Sequence, residues 1–155
     1  MYGKAKLLGH PIHPMLVGFP VAFYTATLVA FIAYASTLHP FWYELACVAN
    51  WAGVGMAAVA ALPGLVDWAI GIPRASAAKK TGLIHMALNV AALAAFLINA
   101  IVATQRWDEA LPPGGTGIVL SALGVLLTLP AGFLGWSLVH HDHVGVASDE
   151  PLAPG

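Results

Sequence analysis

The chain contains few charged residues and a single cysteine, and each shortage excludes a class of protein. Charged residues make up 8% of the 155 positions, against about 25% in a soluble domain, while 59% are hydrophobic. So few charges cannot solvate a globular surface, and the sequence therefore predicts that lipid is the solvent. The net charge of -1 provides no basic field for nucleic acid. Cys47 alone excludes an intrachain disulfide and a CxxC redox pair, and we interpret it as a small hydrophobic residue inside a helix.

Long apolar runs account for most of what is present. A helix that spans a bilayer needs about 20 mostly apolar residues, and four runs meet this requirement, at about 14–37, 42–70, 81–104 and 117–139. The breakers LHPF, GIPRASAAKK and RWDEALPPGG separate them. The sequence predicts an all-α fold, a four-transmembrane-helix bundle formed by one domain over residues 1–146. The polar, proline-rich tail at 147–155 is predicted to be disordered.

Four spans put both termini on one side of the membrane, here called side A, and the opposite side is called side B. Arg106 is the only basic residue on side B. The others fall on side A, namely Lys4, Lys6, Arg74, Lys79 and Lys80. Because lysine and arginine concentrate in cytoplasmic loops, this pattern predicts that both termini are cytoplasmic.

The histidines gather at side A. Only His39 falls on side B, and the other six are His10, His13, His85, His140, His141 and His143. Asp67 reaches the same level at the end of the second span. Ionisable groups within spans are costly and usually face the bundle interior, where they pair or serve a function. We therefore expect a site at side A that is built from all four helices.

His85 shares a helical face with Asn89 and Asn99, since their spacing fits a helix. An amide that faced lipid would remain unpaired, so we expect this face to point inward. Glycines on the side A halves of the spans have two interpretations, close helix contact or room for a flat ligand. These glycines are Gly18, Gly64, Gly132 and Gly135.

The segment LGHPIHPMLVGFP, residues 8–20, leaves two alternatives open. A residue before proline avoids the helical region, so we expect His10 and His13 to be extended or in a turn, with Pro14 starting the helix. The segment either aims both rings into the bundle or forms an entry turn in which the histidines bond to backbone carbonyls. Asp67 likewise has three predicted roles, as a metal ligand, as an acceptor for a histidine, or as a partner of Arg74.

Several segments together resemble one family. LGHPIHPMLVGFP, ALPGLVDW, LIHMALNV and LVHHDHVGV are similar to segments of the bacterial four-helix membrane family known as domain of unknown function 2231, from about Leu8 to Val146. The resemblance implies a four-span protein of the bacterial inner membrane. Some members carry a Rieske iron–sulfur domain, which implies a redox partner. The resemblance assigns no catalytic residue, and Asp142 stands where the family's C-terminal segment has a histidine.

Three functions are compatible with these observations. The first is a redox protein that binds haem b, with His13 or His10 opposite His85 as axial ligands and Asn89 on the same face. The basic residues Arg74, Lys79 and Lys80 would neutralise the propionates. Electrons would pass between this group and a quinone, a Rieske-type protein or another redox partner.

The second function is a site for one zinc, iron or copper ion, to which histidine and carboxylate ligands are suited. Its candidate ligands are His10, His13, His85, Asp67, His140 and His143. The C-terminal histidines have a second interpretation as a solvated face. The third function is a scaffold or assembly subunit with satisfied core histidines. Whether the protein is an enzyme stays open, and a homo-oligomer is compatible with each alternative.

Overall fold

The structure is a computed structural model that describes residues 5–8 and 10–144. Within these residues the regular secondary structure is helical apart from one short antiparallel hairpin, β1 (Lys6–Leu7) and β2 (His10–Pro11). The helices are α1 (Ile12–Leu16), α2 (Gly18–Thr37), α3 (Pro40–Val66), α4 (Ala77–Thr104) and α5 (Gly115–His140), and a π-helical turn, Asp67–Gly71, extends α3. Four helical segments are long and apolar enough to cross a membrane, which confirms the predicted four-span, all-α class. The predicted disordered tail at 147–155 lies outside the described residues.

The first span begins earlier than predicted. Pro11 is extended and caps α1, whose first residue is Ile12, so Pro14 lies inside the first turn rather than at the helix start. Proline is tolerated there because the first N–H groups of a helix have no partner within the helix. The expectation that His13 is extended is therefore wrong, since His13 is helical, whereas His10 lies in β2 as expected.

The four long helices form a ring in which α2 packs on α3, α3 on α4, α4 on α5, and α5 on α2. The side B half of this ring is filled by buried aromatic rings, among them Phe31, Tyr34 and Tyr43. The Tyr34 hydroxyl donates to the carbonyl of Pro112 at 2.8 Å, and the Tyr43 hydroxyl donates to that of Ala103 at 2.9 Å. The bundle is therefore closed at side B.

The side A half contains far less side-chain packing. Its buried cluster comprises three residues, Ile72, Ala78 and Leu138. The side B half also holds buried polar side chains, including Asn99, whose amide donates to the carbonyl of Gly117 at 3.3 Å, as expected for an inward face. Large apolar side chains are exposed around the outside of the bundle, which is the surface that lipid covers.

Candidate functional site: a pair of histidines at the side A end

Two histidine rings meet across the open half of the bundle. His13 belongs to α1 and His85 to α4, and their ring centres lie 6.1 Å apart with the ring planes at 88°. Both rings are partly buried. The convergence of imidazoles from separate helices, which the sequence predicts, is thus present for these two residues.

Each of these rings is held by a backbone carbonyl. His13 Nδ1 lies 2.8 Å from the carbonyl oxygen of Ala60 on α3, and His85 Nδ1 lies 2.7 Å from that of Ala131 on α5. A carbonyl can only accept, so each Nδ1 carries the proton, and a neutral imidazole then keeps its lone pair on Nε2. For His13 both alternatives hold together, because the ring bonds to a carbonyl and also enters the bundle.

Asn89 modifies only one of the two rings. Its side-chain amide donates to the carbonyl of His85 at 2.8 Å and lies 3.3 Å from His85 Nε2. The second of these contacts is a long hydrogen bond from the Asn89 amide to the lone pair on His85 Nε2. A ligand that needs Nε2 therefore has to displace only a long hydrogen bond.

Two of the four glycines make room for the histidine rings themselves. A Cβ atom on Gly64 would lie 2.9 Å from His13 Nδ1, and one on Gly135 would lie 3.0 Å from His85 Cε1. A Cβ on Gly132 would meet nothing within 4 Å, and this residue borders open space. Gly18 also has free space around it but does not line the site.

The rings border a cavity of about 520 Å³ that is lined by all four long helices and is mostly apolar. Its volume falls within the range of roughly 300–1,000 Å³ that is typical of small-molecule and cofactor sites. Its polar lining is sparse and consists of His13, Asp67, His85, Asn89, Thr128 and His140. An apolar cavity with a few converging polar groups is the usual form of a binding site.

The other predicted ligands lie apart from this pair. His10 is exposed, bonds through Nδ1 to the carbonyl of Leu8 at 3.1 Å, and does not line the cavity. His140 lines the rim, where its ring stacks on Trp136 with centres 4.6 Å apart. His143 is exposed, has a left-handed backbone conformation (φ 50°), and does not line the cavity.

Asp67 is buried beside the cavity and holds the N-terminal segment. Its Oδ1 accepts a hydrogen bond from the backbone N–H of Ala5 at 2.9 Å. An ion pair with Arg74, one of the three predicted roles of Asp67, is not present among the described residues. The carboxylate thus anchors the segment that leads into β1.

The six candidate metal ligands do not come together as a cluster among the described residues. Across residues 5–8 and 10–144, no three histidine, cysteine, aspartate or glutamate side chains come close enough together to hold a metal ion. The reason is geometric, because His10 turns toward its own strand and Asp67 binds Ala5. Only His13 and His85 remain as a pair.

Basic residues lie at the same end, and one of them has a structural role. Lys79 Nζ donates to the carbonyl of Trp68, lies 3.3 Å from that of Ala69, and sits 4.1 Å from the centre of the Trp68 ring. It thereby satisfies carbonyls in the π-helical turn, whose backbone would otherwise lack partners. Arg74 and Lys80 are exposed and do not line the cavity.

Comparison with known proteins supports the membrane class. A family model described as "Predicted membrane protein (DUF2231)" matches residues 9–148 of the chain. No curated protein and no solved structure matches it.

Proposed function

The chain belongs to the DUF2231 family of predicted membrane proteins, and we propose that it is a membrane redox protein that binds haem b between His13 and His85. The fold provides a lipid-embedded four-helix bundle. Bundles of this kind build cofactor sites from side chains on facing helices. The proposal includes an electron partner, either a quinone in the bilayer or a Rieske-type or other redox protein.

The observation that carries the proposal is the spacing of the two imidazoles. A metal–imidazole bond of about 2.0 Å, with about 1 Å from the bonded nitrogen to the ring centre, puts two imidazoles on opposite faces of one metal roughly 6 Å apart. The ring centres of His13 and His85 are 6.1 Å apart. This agreement favours one metal between the two rings.

The hydrogen bonds at Nδ1 have the form that metal-binding histidines require. Such histidines usually donate their second ring nitrogen to a carbonyl or carboxylate, which fixes the ring and leaves the other nitrogen as the ligand. The carbonyls of Ala60 and Ala131 supply these acceptors to His13 and His85. With the proton on Nδ1, each ring would hold the iron through Nε2, and His85 would give up its long contact with Asn89.

A haem group suits a site with two protein ligands better than a single ion does. Structural zinc is bound by four ligands and catalytic zinc by three, whereas the described residues offer His13 and His85 without a third close donor. Haem supplies the remaining nitrogen donors from its own macrocycle. The apolar cavity of about 520 Å³ beside the rings gives space for a flat macrocycle.

When bound, haem would supply one-electron chemistry, and the chain's residues would hold it and set its potential. His13 and His85 would fix the iron, and the carbonyls behind them would make both imidazoles better electron donors. The apolar walls would exclude water and raise the cost of charge on the iron. Arg74 and Lys80, which are exposed, would pair with the propionates. As part of the proposal, side A faces the cytoplasm of a bacterial inner membrane.

The absorption spectrum of protein purified from haem-replete cells tests this function, with metal analysis on the same sample. We expect a Soret band and haem iron, both lost in the His13→Ala/His85→Ala double variant. His10→Ala is the matched control, because His10 lies three positions from His13 but outside the cavity, and it should keep the spectrum. Colourless protein that carries zinc or copper would support the ion alternative, and colourless, metal-free protein would support a scaffold.

A further inference from the structure

The contacts around the two histidines occur twice, at a nearly constant distance along the chain. The pairs His13 and His85, Tyr24 and Phe96, and Thr27 and Asn99 each differ by 72 in residue number. On the returning helices the difference is 71, for Asn50 and Ser121, Gly53 and Gly124, Ala60 and Ala131, and Gly64 and Gly135. The buried positions of the first hairpin, α2 with α3, thus reappear in the second, α4 with α5.

The same contacts connect the paired positions in each hairpin. In the first, the His13 ring bonds to the Ala60 carbonyl and lies over Gly64, four residues further on. In the second, the His85 ring bonds to the Ala131 carbonyl and lies over Gly135. Both glycines follow the carbonyl residue by one turn, where the absence of a side chain lets the ring approach the helix.

A second level of repeated contacts lies deeper in the bundle. A Cβ atom on Gly53 would lie 2.8 Å from the Tyr24 ring, and one on Gly124 would lie 2.3 Å from the Phe96 ring. Each aromatic ring therefore covers a glycine on the helix that follows it in the chain. At both levels the two hairpins have equivalent residue types at equivalent positions, and these residues make the same contacts. Coincidental helix packing does not explain this agreement.

The two hairpins also meet each other at the paired residues. His13 faces His85, and Tyr24 stacks on Phe96 with ring centres 3.6 Å apart and planes at 2°. Contact between equivalent residues defines a two-fold arrangement, as in a symmetric dimer. Because α2 and α4 both begin at side A, the axis runs along the bundle, as in parallel repeats of other membrane proteins.

We infer that the chain consists of two copies of one helical hairpin related by a pseudo-two-fold axis, and that the cavity ligand lies on this axis with one equivalent bond from each copy. The inference rests on the proposed function for the identity of the ligand. For haem, the consequence is that His13 and His85 would both hold the iron. A group held by both copies would serve electron transfer rather than the binding of oxygen or carbon monoxide.

The arrangement is not fully symmetric, and the differences are local. The first copy has a break at Val17, between α1 and α2, where the second has one continuous helix. Asn89 approaches His85, whereas Val17, its counterpart by the same offset, provides no amide. These differences leave the carbonyl and glycine contacts of both rings unchanged.

Carbon monoxide binding by the reduced, full-length protein tests the inference. We expect the wild-type protein to show no carbon monoxide adduct. His13→Ala and His85→Ala should each become reactive and each lose at least about tenfold in haemin affinity, the size that follows removal of a supporting partner of a metal. His10→Ala, which removes an exposed histidine outside the cavity, should behave as wild type.

The outcomes separate the two proposals. If haemin does not bind to the wild-type protein, the proposed function and this inference both fail. If haemin binds but only one of the two histidine variants has lower affinity, the two histidines are not equivalent. The same conclusion follows if the wild-type protein takes up carbon monoxide readily. In both cases the inference fails while haem binding stands. Should an alanine variant not fold, Gly64→Ala and Gly135→Ala shift the same rings and must lower haemin affinity to a similar extent, and a response at only one glycine overturns the inference.

Discussion

Tyr24 and Phe96 stack face to face below the histidine pair, with ring centres 3.6 Å apart. Each lies 11 residues beyond its histidine, which corresponds to about three helical turns. Tyr24 also lines the cavity, so the stacked pair marks the depth at which the open half of the bundle ends. The two halves of the molecule therefore have different tasks, since the packed half fixes the helices and the open half is free to accept a ligand.

Tyr24→Phe is predicted to stabilise the protein. The Tyr24 hydroxyl is buried and has no hydrogen-bond partner among the described residues, and an unsatisfied buried donor costs about 1–3 kcal/mol. We expect the free energy of unfolding in detergent to rise by about 1 kcal/mol. Tyr34→Phe is the matched control and should destabilise, because the Tyr34 hydroxyl donates to Pro112. An equal decrease in the free energy of unfolding of both variants would contradict this prediction.

Gly124→Ala is predicted to be among the most disruptive single methyl additions. The new Cβ would lie 2.3 Å from the Phe96 ring, which is itself held by the stack with Tyr24. Overpacking of this kind costs about 1–3 kcal/mol. Gly55→Ala, which meets nothing within 4 Å, should leave the melting temperature unchanged or raise it. Equal melting temperatures of the two variants would contradict the prediction, because they would show that the stacked rings of Tyr24 and Phe96 move aside at no cost in stability.

Gly64→Ala and Gly135→Ala are predicted to weaken ligand binding more than they weaken folding. Each methyl group would press on a histidine ring rather than on backbone, at 2.9 Å from His13 Nδ1 and 3.0 Å from His85 Cε1. The rings should shift away from the carbonyls that hold them. Haemin affinity and melting temperature, measured on the same preparations with Gly55→Ala as control, separate the two effects. Loss of folding with unchanged affinity in the folded fraction would contradict the prediction.

Lys79→Met is predicted to destabilise the side A end. Lys79 donates to carbonyls of the π-helical turn, and these acceptors would lose a charged partner whose hydrogen bonds contribute about 1.5–3 kcal/mol. Lys80→Met is the matched control, because Lys80 is exposed and donates to no carbonyl within the part of the chain that the structure describes. Hydrogen exchange at residues 67–72 should accelerate in the first variant only. Similar exchange in both would show that water replaces Lys79.

The sequence was sufficient to predict the four spans because their length and apolar composition leave no soluble alternative. It also predicted that His13 and His85 converge, since one lies at the start of the first span and the other at the start of the third. It could not decide between His10 and His13, because that choice depends on the helix beginning at Ile12. Likewise, the sequence predicted correctly that Asp67 lies at the side A end of the second span. It did not indicate that the carboxylate accepts a hydrogen bond from the backbone N–H of Ala5.

Nothing in the sequence identified Ala60 and Ala131 as the residues whose carbonyls hold the two histidine rings. A backbone carbonyl leaves no trace in residue type, and alanine at these positions is indistinguishable from alanine elsewhere in an apolar helix. A comparison of the chain with itself at offsets of 71 and 72 would have paired them, together with the glycines that follow them. The repeat is weak in sequence because only buried contacts maintain it, while lipid accepts many apolar residues on the outer faces.

Haem binding is tested most directly by the haem content and reduced absorption spectrum of the purified wild-type chain beside its His13→Ala/His85→Ala variant. We expect one haem per wild-type chain with the spectrum of iron bound by two imidazoles, and no haem in the folded double variant. Haem retained by that variant, or a wild-type chain that takes up none when haemin is supplied, would contradict it.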